Sequence, residues 1–125
     1  MKWFHLLILS IALYSCQAQS TTHNEEYGLI SAAEAQKLLE KDNVVFIDVR
    51  TAAEVQKGKI NGAHHHNFYD DNFVEHINKL PKNVTYVVYC ASGIRSAKAV
   101  QLMQQAGFKK LYDLKGGYAK WEKDK

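Results

Sequence analysis

Cys90 follows directly on the β-branched and aromatic run Val84 to Tyr89 and opens the segment Cys90-Ala91-Ser92-Gly93-Ile94-Arg95-Ser96, after which a helical pattern begins. A thiol at the carboxyl end of a strand, in a short turn that leads into a helix, meets peptide N–H groups and the positive end of the helix dipole. Both favour the thiolate over the thiol. The expected chemistry is that of a sulfur nucleophile acting on, or becoming, an anion. Cys90 is the candidate catalytic residue, and Ala91, Ser92, Gly93, Ile94, Arg95 and Ser96 are the candidate substrate-binding cradle.

The chain has 125 residues, 46% hydrophobic and 23% charged, which is enough for one domain around one core. It contains two cysteines, Cys16 and Cys90, and a single proline, Pro81. Lys2 precedes an apolar stretch from Trp3 to Tyr14, too short to span a bilayer and followed by small residues, so residues 1–16 read as an export signal. Leu13-Tyr14-Ser15-Cys16 has the layout of a bacterial lipobox, making Cys16 the expected lipidation site; cleavage after Ala18 is the alternative. Either route leaves Cys90 as the cysteine of the exported domain, unable to form an intrachain disulfide. An unpaired thiol in an oxidising compartment points to reactivity rather than stapling. Residues 17–26 are polar and read as a tether, with the folded domain over 27–125. Without residues 1–16 the chain carries 15 basic and 13 acidic residues. That near-neutral balance offers no stripe for nucleic acid and favours a small substrate or a protein partner.

The remaining pattern alternates strands and helices. Ser31-Ala32-Ala33-Glu34 is a capping box that opens a helix over Ala32 to Lys41. Val44 to Ile47 is a short run without polar alternation, a strand buried on both faces, closed by Asp48-Val49-Arg50. Thr51 caps a short helix to Lys57 that Gly58 ends; Ala63 to Phe68 reads as a strand, and Asp71 to Leu80 as a helix capped by Asp70 or Asp71. Thr85 to Tyr89 is the next strand. The helix after Cys90 finishes at Gly107, and a last strand, Leu111 to Leu114, precedes Gly116-Gly117 and a closing helix through Trp121. Such alternation predicts an α/β fold, a mostly parallel central sheet of about five short strands with helices on both faces and ligands at the carboxyl strand ends.

From about Tyr27 to Lys123 the chain resembles a single-domain rhodanese, the thiosulfate sulfurtransferase homology domain. The resemblance is carried by Ile47-Asp48-Val49-Arg50 with Glu54, by Gly58-Lys59-Ile60-Asn61-Gly62-Ala63, by the Cys90 to Ser96 loop, and by Leu114-Lys115-Gly116-Gly117-Tyr118 with Trp121. Many relatives have His in place of Lys59 and Pro in place of Asn61. The resemblance implies that the Cys90 thiolate takes the outer sulfur of a donor such as thiosulfate, becomes a persulfide, and passes the sulfur to a thiol or cyanide, with no cofactor. The implied partners are a small anionic sulfur donor and a thiol acceptor, with a protein persulfide donor or acceptor as a further class, and the chain is expected to act as a monomer held to a membrane by lipid. A persulfide carrier or sensing module serving a partner protein is the competing reading.

Other residues have alternative duties. Arg95 either helps bind the anion or pairs with an acid to brace the loop, and Ser92 and Ser96 can donate hydroxyl hydrogen bonds. Asp48, Arg50 and Glu54 are assigned structural duties near the site, with an Arg50 to Glu54 ion pair across the turn and a catalytic Asp48 as the lesser alternative. Related phosphatase loops place one residue more between Cys and Arg, so this smaller ring of amides suits a single sulfur better than a phosphate. His64, His65 and His66 alternate across a strand and do not converge on one metal ion; they read as rim residues. Tyr86, Tyr89, Tyr112 and Trp121 read as packing.

Overall fold

The computed structural model describes residues 25–125; the expected signal, Cys16 and nearly all of the proposed tether lie outside the described residues. In chain order the elements are β1 (Glu26–Ile30), α1 (Ala32–Leu38), β2 (Val44–Asp48), α2 (Ala52–Gln56), β3 (His64–His65), α3 (Phe73–Asn78), β4 (Thr85–Tyr89), α4 (Ile94–Gln105), β5 (Lys110–Leu114) and α5 (Gly117–Asp124). The strands form one sheet in the order β1-β5-β4-β2-β3, and every pairing is parallel. The α/β architecture expected from the alternation is therefore the one observed.

A parallel sheet must bury both faces, and the two-residue period of each strand divides the core accordingly. On one face Ile47, Val49, Tyr86, Val88, Cys90 and Leu111 pack with Phe73 and Ile77 of α3 and with Ala99, Val100 and Met103 of α4. On the other, Phe46, Val87, Tyr89 and Leu114 pack with Ala32 and Ala35 of α1 and with Tyr118 and Trp121 of α5. Cys90 lies just past β4 and continues its alternation, so it belongs to the α3/α4 face. Central β4 sits between β5 and β2, and the direction in which the chain adds strands reverses here. The carboxyl end of β4 is thus the place where such sheets collect ligands.

Both helices entered from Ser or Thr start on full capping boxes: Ser31 with Glu34, and Thr51 with Glu54. Each such cap contributes about 1 kcal/mol to a helix too short to stand alone. Several boundaries differ from the sequence reading. β1 was not anticipated; it is an edge strand with four of its five residues exposed, so it carries no buried pattern to read. β3 is only His64–His65, because Asn67 turns the chain by accepting from the Tyr69 N–H and donating to Asp70. α1 stops at Leu38 rather than running to Lys41. α3 begins after Asn72, without a side-chain cap, and not at Asp70 or Asp71. The aromatic residues do pack: Tyr86 against Phe108, Tyr89 against Tyr118, and Trp121 against Phe46.

Candidate active site

Gly93 shapes the loop. It is the N-cap of α4 with φ 113°, in the left-handed region where a residue with a Cβ is strained, although a Cβ there would touch nothing within 4 Å. A glycine N-cap brings no side chain to bond the first free amides of the helix. The Cys90 sulfur takes that place: the Gly93 N–H donates to Sγ at 3.1 Å, and the Ser92 and Ser96 amides and the Ser96 hydroxyl also favour the anion. The Ser96 hydroxyl lies 3.4 Å from Sγ. Burial alone pushes the thiol up, since only 1% of Cys90 is exposed, but the four hydrogen bonds outweigh it and hold Cys90 below the ordinary thiol range.

Of the predicted cradle, the amides of Ser92, Gly93 and Ser96 therefore converge on the sulfur. Ile94 turns its side chain outward and is 69% exposed. Ala91 faces the other way: its carbonyl accepts from the Ala119 N–H, as the Cys90 carbonyl accepts from the Tyr118 N–H at 2.8 Å. The free amides at the start of α5 thereby hold the carbonyl side of the loop and leave its N–H side to the sulfur. This contact requires Gly117, whose φ is 60° and where an added Cβ would lie 2.6 Å from backbone atoms of Cys90 and Ala91.

Arg95 adopts the bracing alternative. Its Nη1 and Nη2 donate to the two carboxylate oxygens of Glu54, both at 2.8 Å, which lowers Glu54 to about 2 and raises Arg95. Glu54 is thus doubly engaged, since it also accepts from the Thr51 amide and hydroxyl in the capping box. The expected Arg50 to Glu54 pair does not form. Arg50 is buried and turns back to Asp48, with Nε at 2.9 Å and Nη2 at 2.6 Å from its carboxylate oxygens; Nη2 also donates to the Gly58 carbonyl, and the guanidinium lies 4.1 Å from the Tyr118 ring centroid. The turn from Arg50 into the Thr51 cap sends the two side chains to different neighbours. Asp48 and Arg50 occupy the α5 face of the sheet, opposite the sulfur. His65 Nε2 sits 2.6 Å from the Arg50 carbonyl, and the His66 ring is 6.4 Å from that of His76.

Sequence reasoning missed Asp113. In β5 it is registered with Val88 and so shares the Cys90 face, where it is 8% exposed, with one carboxylate oxygen making no hydrogen bond among the described residues. Burial raises its pKa, and a hydrogen bond from Ser96 partly opposes that rise. The readable signal was an acid at an inward position of the apolar run Leu111 to Leu114.

The rhodanese-like domain family matches residues 31–124. The chain belongs to that family. It is 33% identical to the thiosulfate sulfurtransferase GlpE of Coxiella burnetii, over 77% of this chain and 88% of that protein. A crystal structure of a rhodanese-related protein from Thermoplasma volcanium superposes with a TM-score of 0.70 at 28% identity, covering 78% of this chain and 93% of the other. The tRNA uridine(34) hydroxylase of Buchnera aphidicola is 31% identical over 76% of this chain, which spans 32% of that longer protein. The rhodanese-like fold is thus found both alone and as part of longer proteins.

Proposed function

We propose that this rhodanese-like domain is a sulfurtransferase whose nucleophile is Cys90, moving a sulfane sulfur from thiosulfate or another persulfide donor to a thiol or cyanide. The reading rests on one observation above all: Sγ stands where an N-cap side chain would, with the N–H groups of Ser92, Gly93 and Ser96 directed at it and its pKa lowered despite burial. In the first half-reaction the thiolate attacks the outer sulfur of thiosulfate; a new S–S bond forms, the bond to the sulfonate sulfur breaks, and sulfite leaves with the electron pair. The added sulfur carries the negative charge. In the second, an acceptor thiolate or cyanide attacks that outer sulfur and Cys90 leaves as the thiolate that began the cycle. The same ring of amides serves both leaving and attacking states, so no proton or cation has to be recruited between them.

The GlpE relative named a thiosulfate sulfurtransferase supports thiosulfate as a donor. A second reading, a carrier loaded by a partner protein, has its own support. Both Nη groups of Arg95 are bound to Glu54 and Cys90 is nearly sealed, so the exposed rim at Ser92 and Ile94 must yield to a donor. Intact mass spectrometry after incubation with thiosulfate, followed by cyanide, separates the two. Gain of one sulfur on Cys90, then release of thiocyanate over many turnovers, is the expected result; loading only from a protein persulfide supports the carrier, and no adduct from either source overturns both. An export signal ending at Cys16 places the enzyme outside the cytoplasm on a lipid anchor in this proposal. A thioether-linked lipid on the Cys16 peptide of membrane-purified protein tests it.

A further inference from the structure

Three buried polar groups share the α3/α4 face: the Cys90 thiol at 1% exposure, the Ser96 hydroxyl at 0% and 3.4 Å from Sγ, and, across from Val88, the Asp113 carboxyl at 8%. Two of them can carry a negative charge, and the Ser96 hydroxyl has a single proton to give. The Asp48 to Arg50 pair cannot neutralise Asp113, since it occupies the opposite face of the sheet, and Arg95 is bound to Glu54. Two anions in so small an apolar volume are strongly disfavoured, so the site holds one.

We propose that Asp113 is a positioning residue that acts on Cys90 through Ser96: as a neutral carboxylic acid it donates its proton to the Ser96 oxygen, which leaves the Ser96 hydroxyl to donate to the thiolate or persulfide sulfur. This deepens the reading of Cys90 as the nucleophile. If Asp113 were instead ionised, it would draw the Ser96 proton to itself and add a second charge beside the sulfur. Both effects would oppose a thiolate at Cys90, whereas the neutral acid favours one. The raised pKa of Asp113 agrees with the neutral form. The oxygen with no partner among the described residues is then the carbonyl of a neutral acid, far less costly to bury than half of a carboxylate. Through this chain β5 contributes to a site otherwise built from β4 and α4.

The test is the pH dependence of iodoacetamide alkylation at Cys90 in the full chain, followed on the Cys90 peptide by mass spectrometry. It requires no sulfur transfer, so it can fail while the proposed activity stands, and the activity can fail while it succeeds. Ser96→Ala and Asp113→Leu are each expected to raise the alkylation midpoint by about one pH unit, with no further rise in the double variant because they break one chain. Asp113→Asn keeps a donor for Ser96 without charge and is expected to stay at the wild-type midpoint. The charges of Arg95 and Glu54 near Cys90 are the same in every variant. A folded Asp113→Leu with the wild-type midpoint overturns the proposal, as does an Asp113→Asn midpoint below wild type, which would mark the native residue as an anion. Should Asp113→Leu fail to fold, the infrared difference between wild type and Asp113→Asn at neutral pH decides: a protonated carboxylic band is expected, and carboxylate bands alone overturn it.

Discussion

Two buried polar clusters lie back to back across the carboxyl end of the sheet, and they are built on opposite rules. On the α5 side, Asp48 and Arg50 are bound to each other by several hydrogen bonds, Arg50 also reaches the Gly58 carbonyl, and Tyr89 and Tyr118 enclose the guanidinium. Its charges balance, and Nε and Nη2 of Arg50 are both engaged. On the α4 side, Cys90 pairs with Ser96, Asp113 is buried on the same face, and one of its carboxylate oxygens has no partner among the described residues. A satisfied buried network fixes one backbone arrangement, while an underfilled one leaves a proton and a charge free to redistribute. The first cluster fixes the turn that leads from β2 into α2. The second is where the chemistry of a sulfur anion can occur.

The largest expected effect removes the nucleophile from the underfilled cluster. Cys90→Ser replaces sulfur with a smaller, far less acidic group in the same ring of amides, so the sulfur adduct and all transfer to cyanide should vanish while the melting temperature changes little. Intact mass and thiocyanate release measure the first, and circular dichroism the second. An equal loss in stability and activity would mean that Cys90 is chiefly a core residue.

The satisfied cluster should respond the other way. Arg50→Ala leaves the Asp48 carboxylate buried and unpaired, at a cost of about 3–5 kcal/mol, to be read by urea denaturation. Activity per folded molecule should fall much less than stability. If the folded fraction instead loses all transfer, the two faces are not as separate in function as they are in space.

A third change acts on the seam between the clusters. Gly117 is in the left-handed region and its added Cβ would meet the Cys90 and Ala91 carbonyl groups at 2.6 Å, so Gly117→Ala must push α5 off the loop. A destabilisation of about 1–3 kcal/mol is expected from the strain, together with a higher alkylation midpoint for Cys90 as its amides lose alignment. Gly62, where an added Cβ meets nothing, is the control: Gly62→Ala shares the backbone strain but should leave the midpoint unmoved.

Much of this arrangement was legible in the sequence. Uninterrupted apolar runs such as Val44 to Ile47 and Val84 to Tyr89 announce strands buried on both sides, and the Ser31 and Thr51 caps mark two helix starts. The reactive loop is local, so Cys90, Gly93 and Ser96 could be placed from their spacing alone. Partners distant in the chain could not. The Arg95 to Glu54 pair spans 41 positions, and the choice of Asp48 over Glu54 by Arg50 depends on which way one turn faces. Asp113 was half legible: an acid inside the run Leu111 to Leu114 is a local signal, but the group it faces follows from strand register against β4. β1 was missed because an exposed edge strand satisfies its backbone through β5 without needing an apolar face.

The smallest expected effect tests how α2 joins the loop to the sheet. Glu54 holds Arg95 with two hydrogen bonds, but the pair lies at the surface, with side chains 33% and 16% exposed, so solvent screens much of what so low a carboxyl pKa would otherwise imply. Glu54→Gln should therefore cost about 1 kcal/mol rather than several. Its signature is in the pH dependence. Glu54 sits at about 2 against an ordinary 4.5, so its contribution is complete above pH 4.5 and is lost as pH falls through about 2. The stability gap between wild type and Glu54→Gln in urea should close over that window and stay constant above it. Because Arg95 also lies near Cys90, releasing it from Glu54 should leave its positive charge free to favour the thiolate, and the alkylation midpoint should drop slightly in the variant. A rise instead would mean that the ion pair holds the amides of the loop in line with the sulfur, and that bracing outweighs the direct effect of a nearby charge.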